Sequence, residues 1–291
     1  MRIADSELVL NSDGSVYHLQ LHPEQIATNI LLVGDPGRVK MISGYFEKIE
    51  HKVQHREFLT HTGWFGGQRI SVVSTGIGTD NIDIVLNELD SLVNIDLKAR
   101  KVLPEHTQLN FMRVGTSGSL QGDIPVNSLV VSEGAIGLDS LLHFYNYENN
   151  DFEKELLAAF NRSSGLSFPG KPYFFEAEKS FLKYLSGEFV RGITATCAGF
   201  YAPQGRQLRA KAVMPDLLES LAAFRFENHR ITNFEMETSG IYGLSRILGH
   251  RALSFNVILA NRPNGKFSRD PQQSVNILIE KVLENLSLLE A

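Results

Sequence analysis

The feature that most constrains how this chain can fold is a recurring unit. A short apolar run leads into a glycine-bearing turn, and an apolar stripe at helical spacing follows. Ile30–Val33 ends in Gly34-Asp35-Pro36-Gly37. Ile70–Val73 ends in Ser74-Thr75-Gly76-Ile77-Gly78, after which Ile82, Val85, Leu86, Leu89 and Leu92 recur with helical periodicity. Leu109–Val114 ends in Gly115-Thr116-Ser117-Gly118. Ser128–Val131, Ile193–Thr196 and Ala252–Leu259 read as further strands. Ile241, Leu244 and Leu248 form another stripe, with Gly249 as its C-cap, and a last helix is predicted from about Ser274 to Leu289. Strands alternating with helices imply an α/β sandwich around a largely parallel or mixed sheet. Ligands of such sheets bind beyond the carboxyl ends of the strands, where the glycine turns fall. No solenoid-period repeat and no linker divides the sequence, so one domain over residues 1–291 is expected. Asp96–Gln108 and His143–Lys183 are less regular and read as excursions from the sheet, either of which could act as a lid.

Composition removes several function classes. The chain is 43% hydrophobic and 21% charged, as in ordinary globular proteins, and 291 residues can bury a core without staples. A net charge of −5 argues against a general nucleic-acid binder. The single cysteine, Cys197, rules out an intrachain disulfide and fits a reducing compartment. It has no activating base beside it in sequence, so a small buried residue is the role expected of it. Met1–Ser15 lacks the apolar run of a signal peptide, and no stretch approaches the roughly 20 apolar residues of a membrane span. The cytoplasm is the expected location.

Candidate chemistry gathers at the turns. Gly34-Asp35-Pro36-Gly37-Arg38 follows a strand and opens a helix, where backbone amides favour an anion and Arg38 can bind phosphate through two hydrogen bonds. An ordinary turn has the same composition. Arg113 sits near the expected end of an apolar strand, where a cation needs a partner. That partner is either a structural carboxylate or a phosphate shared with Thr116 and the amides of Gly115 and Gly118; the coincidence of strand end, glycine turn and hydroxyl favours phosphate. His51 and His55 lack a third ligand nearby, so no metal site is expected. Glu235-x-Glu237 is flanked by apolar Phe234 and Ile241, which sets the pair at the rim of a core rather than on an exposed strand. The glycine runs lack the Gly-x-Gly-x-x-Gly spacing of a dinucleotide site.

Taken in order along the chain, these segments resemble the nucleoside phosphorylase superfamily, specifically its uridine phosphorylase branch. The matching residues are Tyr17-His18-Leu19, Gly34 to Arg38, His55-Arg56-Glu57-Phe58, Ser74 to Gly78 and Arg113-Val114-Gly115-Thr116. They continue through Phe200-Tyr201-Ala202-Pro203-Gln204-Gly205-Arg206 and Asn233-Phe234-Glu235-Met236-Glu237 to Asn261-Arg262. The architecture expected with it is a single-domain, three-layer α/β/α sandwich with a central mixed, partly barrel-like sheet. The resemblance implies reversible attack of phosphate on a nucleoside, giving free base and ribose 1-phosphate. Gly34, Arg38, Arg113 and Thr116 would bind phosphate, joined by Arg56 from a neighbouring subunit. His18, also from the neighbour, would hold the ribose 5′-hydroxyl. Met236 and Glu237 would hold the 2′- and 3′-hydroxyls, with Glu235 close to the sugar. Arg113, Glu237 and Arg206 would be the catalytic set, acting on charge that develops only in the transition state.

Phe200, Gln204 and Arg206 match the family's uracil-reading residues, with Arg262 as a further base contact. A planar Gln amide pairs with a uracil edge, and an arginine stabilises the departing anion. Asn261 stands where purine-cleaving relatives carry a proton-donating aspartate, which favours uracil over purines. The alternatives are a purine nucleoside phosphorylase or nucleosidase of the same fold, or a non-catalytic nucleoside-binding protein. Three arginines around one anion argue for phosphorolysis over hydrolysis. No organic cofactor and no metal are expected; Glu57, the backbone of Ile77 and Asn81 fall near a monovalent-cation position of some relatives, but a serine is expected at the third. With His18 and Arg56 acting across an interface, a homodimer is the minimum unit, and a hexamer built from three dimers is compatible with it.

Overall fold

The computed structural model describes residues 2–163, 165, 168, 170–185 and 188–286. Strand β1 (Asn29–Val33) leads into helix α1 (Pro36–Ser43). A meander of β2 (Lys48–His55), β3 (Phe58–Phe65) and β4 (Gln68–Ser74) precedes α2 (Thr79–Asn94). A small hairpin, β5 (Ile95–Asp96) with β6 (Lys101–Val102), leads to the long strands β7 (Asn110–Ser119) and β8 (Leu129–Gly137). Next come α3 (Asp151–Ser163), β9 (Tyr173–Glu176), α4 (Lys179–Tyr184) and β10 (Val190–Thr196). After α5 (Leu217–Ala223) follow β11 (Arg225–Phe226), β12 (His229–Glu235) and α6 (Thr238–Leu248). β13 (Arg251–Asn261), β14 (Lys266–Phe267) and α7 (Pro271–Glu284) close the chain, and the expected continuation of the last helix to Leu289 lies outside the described residues.

Among the described residues the main sheet has 12 strands and is mixed. β7, β13, β8, β10 and β12 pair in succession, and β12 returns to pair with β7, which closes a small barrel. From β7 the sheet also runs outward through β1, β4, β3 and β2. Closure requires curvature. It coincides with register shifts at Ile258/Ala260 in β13 and at Gly192/Ile193 and Ile193/Thr194 in β10, since an extra residue bends a strand and increases its twist. This is the α/β architecture that the alternation of elements predicts, with the partly closed central sheet that the resemblance implies.

Helices α2 and α6 pack on each other, and α6 also lies against β8 and β13. Their buried faces are the stripes seen in sequence: Ile82, Val85, Leu86 and Leu89 from α2, Ile241 and Leu244 from α6. Gly249 ends α6 at φ 79°, a left-handed conformation that strains any residue with a Cβ. Among the described residues no helix is long and apolar enough to cross a membrane.

Two expectations are corrected, while a third, that Asp96–Gln108 stands off the main sheet, holds. Gly115–Gly118 does not turn: β7 continues to Ser119, so Arg113 stands in mid-strand. The segment His143–Lys183 is not a mere excursion. Its β9 pairs with β8 inside the sheet, and Glu153 of α3 is fully buried against Arg246 with O···N 2.7 Å. Its aromatic and charged composition hid this because β9 is only a short buried run, Tyr173, Phe174 and Phe175, and the buried face of α3 carries a charge, Glu153. Asp96–Gln108 forms the β5–β6 hairpin and a tether for the N-terminal segment. Arg100 Nη1 donates to the Leu8 carbonyl at 2.5 Å, and its backbone carbonyl accepts from Ile3 N at 2.8 Å. Neither segment contributes a residue to the cavity described next, so neither is a lid over it among the described residues.

Candidate active site

β1 pairs with β7 only as far as Arg113, and β12 only at Gly118 and Ser119. Between them one edge of β7, Val114–Ser117, faces no strand among the described residues. A cavity of about 500 Å³ opens at this split in the sheet. It is lined by Gly34, Arg38, Arg113, Thr116, Phe200, Gln204, Arg206, Glu235, Met236 and Glu237, ten of the residues singled out by sequence.

At the floor Arg113 is 5% exposed. Its Nη2 lies 2.5 Å from Glu237 Oε2 and 3.1 Å from Glu235 Oε2, and its Nη1 donates to Asn256 Oδ1 at 2.7 Å. Burial works against the charged guanidinium, but Glu235 and Glu237 outweigh it and hold its pKa above the ordinary value. The structural salt bridge, the alternative to phosphate weighed from sequence, is therefore present. Gly115 makes the arrangement feasible: a Cβ there would overlap Arg113 Nη1. The glycine serves the arginine rather than lending a turn amide.

Glu235 and Glu237 flank the start of α6. Glu235 accepts from the amides of Glu237 (2.9 Å) and Thr238 (3.0 Å) and from the Thr196 hydroxyl (2.7 Å). Burial raises its pKa, with Arg113 opposing. Its oxygens are spent on the protein, which makes it a positioning group. Glu237 takes Gly78 N (2.8 Å) on one oxygen and Arg113 on the other, so each oxygen retains a lone pair for a hydroxyl in the cavity.

Arg38 differs from Arg113. No carboxylate lies within ion-pair distance of it among the described residues; its Nη1 donates to the Val114 carbonyl at 3.0 Å, on the unpaired edge of β7. Burial and the nearby Arg113 lower its pKa to about 10. A half-buried cation repelled by another is the group that gains most from an arriving anion. The first turn of α1 offers less than expected, because Asp35 already accepts from Gly37 N at 2.8 Å.

On the opposite wall the Arg206 guanidinium carbon lies 3.7 Å from the centre of the Phe200 ring, and its Nη1 donates to Phe200 O and to Gln204 Oε1, both at 2.6 Å. Burial and Arg262 lower its pKa. Gln204 is 4% exposed, and its amide nitrogen has no protein partner among the described residues. The loop that reads as a surface turn in sequence is thus a fixed polar edge beside an aromatic ring.

Four expected residues stand elsewhere. Arg262 lies behind the loop, donating to the Gln204 carbonyl at 2.9 Å, and does not line the cavity. Asn261 is buried, with its amide donating to Gln121 O and Ile124 O, so it faces no ligand and carries no argument about the base. His18 and Arg56 are also absent from the cavity wall, but they are close to one another. His55 Nδ1 lies 2.9 Å from the His18 carbonyl, and Arg56 sits over the Tyr17 ring at 5.3 Å. Asn256 is the residue that sequence reading missed; a buried amide inside the apolar run Ala252–Leu259 is the signal that could have found it. Cys197 is buried and burial pushes its thiol pKa up, as for an inert core residue.

The profile of the phosphorylase superfamily matches residues 28–287. A uridine phosphorylase from Thermococcus kodakarensis is 29% identical over 286 residues, 98% of this chain and 92% of the relative. A DeoD-type purine nucleoside phosphorylase from Shewanella loihica is 28% identical over 270 residues, 92% of this chain and 96% of the relative. The solved structure of a Trypanosoma brucei nucleoside phosphorylase, described as showing uridine phosphorylase activity, superposes with a TM-score of 0.87 at 30% identity. That match covers 96% of this chain and 99% of the other.

Proposed function

The chain belongs to the phosphorylase superfamily, and from that premise we propose that it is a uridine phosphorylase, a pentosyltransferase that converts uridine and phosphate to uracil and ribose 1-phosphate. The observation that carries the reading is the division of one cavity into a cationic end at Arg38, a carboxylate at Glu237 and a polar planar edge at Gln204 and Arg206. That order matches phosphate, ribose and base.

In the proposed reaction a phosphate oxygen attacks C1′ as the C1′–N1 bond breaks. N1 takes the electron pair, and positive charge develops on the sugar. Arg206 and Gln204 stabilise the departing uracil anion, with Phe200 beside its ring. Glu237 orients the ring through the 2′- and 3′-hydroxyls, with Met236 against the sugar. Arg38, Gly34, Thr116 and Arg113 face the phosphate. In the cavity floor two arginines, Arg38 and Arg113, meet two glutamates, Glu235 and Glu237. A phosphate dianion therefore calls for a further cation, and Arg56 of a second copy supplies it, while His18 of that copy takes the 5′-hydroxyl. The proposal thus includes a homodimer as the minimum catalytic unit, open to further assembly into a hexamer. It also includes a cytoplasmic role in pyrimidine nucleoside breakdown and salvage, with phosphate as co-substrate and no organic cofactor or metal.

The test is base release from uridine with and without phosphate, with inosine in parallel. Uracil that appears only with phosphate supports the proposal. Release without phosphate would make the protein a nucleosidase, and hypoxanthine from inosine would move the specificity to purines.

A further inference from the structure

One carboxylate outside the cavity gathers an unusual set of donors. Glu88, on α2, accepts from His18 N at 2.9 and 3.0 Å, from Leu19 N at 2.8 Å and lies 2.6 Å from His18 Nδ1. Its side chain is 15% exposed and that of His18 28%. Both ends of the His18 residue are thereby fixed, the backbone amide and the imidazole. With the carboxylate ionised and the imidazole neutral, Nδ1 carries the hydrogen and Nε2 is left as a bare acceptor. The peptide on the other side is also held: His55 Nδ1 lies 2.9 Å from His18 O, and the Tyr17 ring meets the imidazole edge-on at 4.8 Å. Further back, Asn11 Nδ2 donates to Val16 O at 2.9 Å.

We infer that Glu88 is a positioning residue: it locks the orientation and tautomer of His18, so that each subunit presents an Nε2 acceptor ready-made for the nucleoside 5′-hydroxyl of a neighbouring site. The inference rests on the proposed reaction and on the placement of His18 in a second copy's cavity. Its physical content is preorganisation. A histidine on an irregular N-terminal segment, not on a sheet strand, would otherwise lose rotamer freedom each time a substrate bound. With Nδ1–H directed at a carboxylate, Nε2 is also a stronger acceptor than in a free imidazole.

The experiment is a cycle between enzyme and substrate. In Glu88→Gln the amide oxygen can keep the two backbone donors, which places the NH2 group against Nδ1 and moves the ring proton to Nε2. For uridine, kcat/KM is expected to fall about ten-fold, because the 5′-hydroxyl loses the acceptor it donates to, while for 5′-deoxyuridine it changes less than two-fold. Equal losses on both substrates, or no loss on either, would overturn the assignment. Glu88→Asp, which keeps the charge on a shorter stem, is expected to recover part of the uridine preference. Failure of the wild type to release uracil would instead refute the proposed reaction. In that event 15N shifts of selectively labelled histidine still read the tautomer, with Nδ1–H at His18 in the wild type and Nε2–H in Glu88→Gln. The same tautomer in both would end the proposal.

Discussion

Replacing Arg38 by alanine separates the anion site from the rest of the molecule better than any other change. The paired arginine at the floor, Arg113, is a poor choice, because its removal leaves two buried carboxylates unpaired at a cost of about 3–5 kcal/mol in stability. Arg38 has no such partner. It donates once, to the Val114 carbonyl at 3.0 Å, and burial together with Arg113 already disfavours its charge. Losing that hydrogen bond costs roughly 1 kcal/mol, and relief of the repulsion offsets it. The melting temperature should therefore stay close to the wild-type value. Toward phosphate, two charge-assisted hydrogen bonds at about 1.5 kcal/mol each amount to about 3 kcal/mol, roughly a hundred-fold in kcat/KM for phosphate. Steady-state rates at fixed saturating uridine and varied phosphate, beside a thermal melt, read both quantities. An unchanged phosphate dependence would refute the placement of the anion, and a large drop in melting temperature would refute the energetic reasoning. The wild type carries a second signature. Binding an anion needs protonated Arg38, so phosphate affinity should weaken as pH rises through about 10. The fold responds with the opposite sign: a cation whose pKa is depressed destabilises the folded state while charged, so its deprotonation in that window adds stability.

Gly115→Ala should inactivate the enzyme although it adds one methyl group, because the Cβ displaces Arg113 Nη1; wild-type rates in the variant would show that the guanidinium has room to move. Gln204→Ala should lower uridine turnover about ten-fold or more with little change in melting temperature, since Arg206 keeps the Phe200 carbonyl as a partner; matching losses in both would make Gln204 structural. Arg38→Ala and Arg56→Ala proteins, each strongly impaired at low phosphate, should complement when refolded together. A mixed dimer has one site with both arginines, so an equal mixture should regain roughly a quarter of wild-type activity. No recovery would place Arg56 in its own chain's site.

The sequence by itself determined the layers and most of the cavity's residues. Apolar runs that end in glycine turns, followed by stripes such as Ile82-Val85-Leu86-Leu89, already dictate strands and helices, because each buried face must repeat with the period of its element. The ordered segments from Gly34 to Glu237 identified what those elements display. Pairings between distant segments decided the rest. Arg113 reads as a cation at a strand end, but only closure of β7 against β12 brings Glu235 and Glu237 to its guanidinium. Asn256 and Gly115 matter because β13 lies beside β7 in a register that sets them opposite each other. The amphipathic signal of α3 was masked by a buried Glu153, whose cost Arg246 offsets from 93 residues away. Periodicity records which side of an element is buried. It carries no record of which partner arrives there, and the partners, more than the residues themselves, fix the charge of this site.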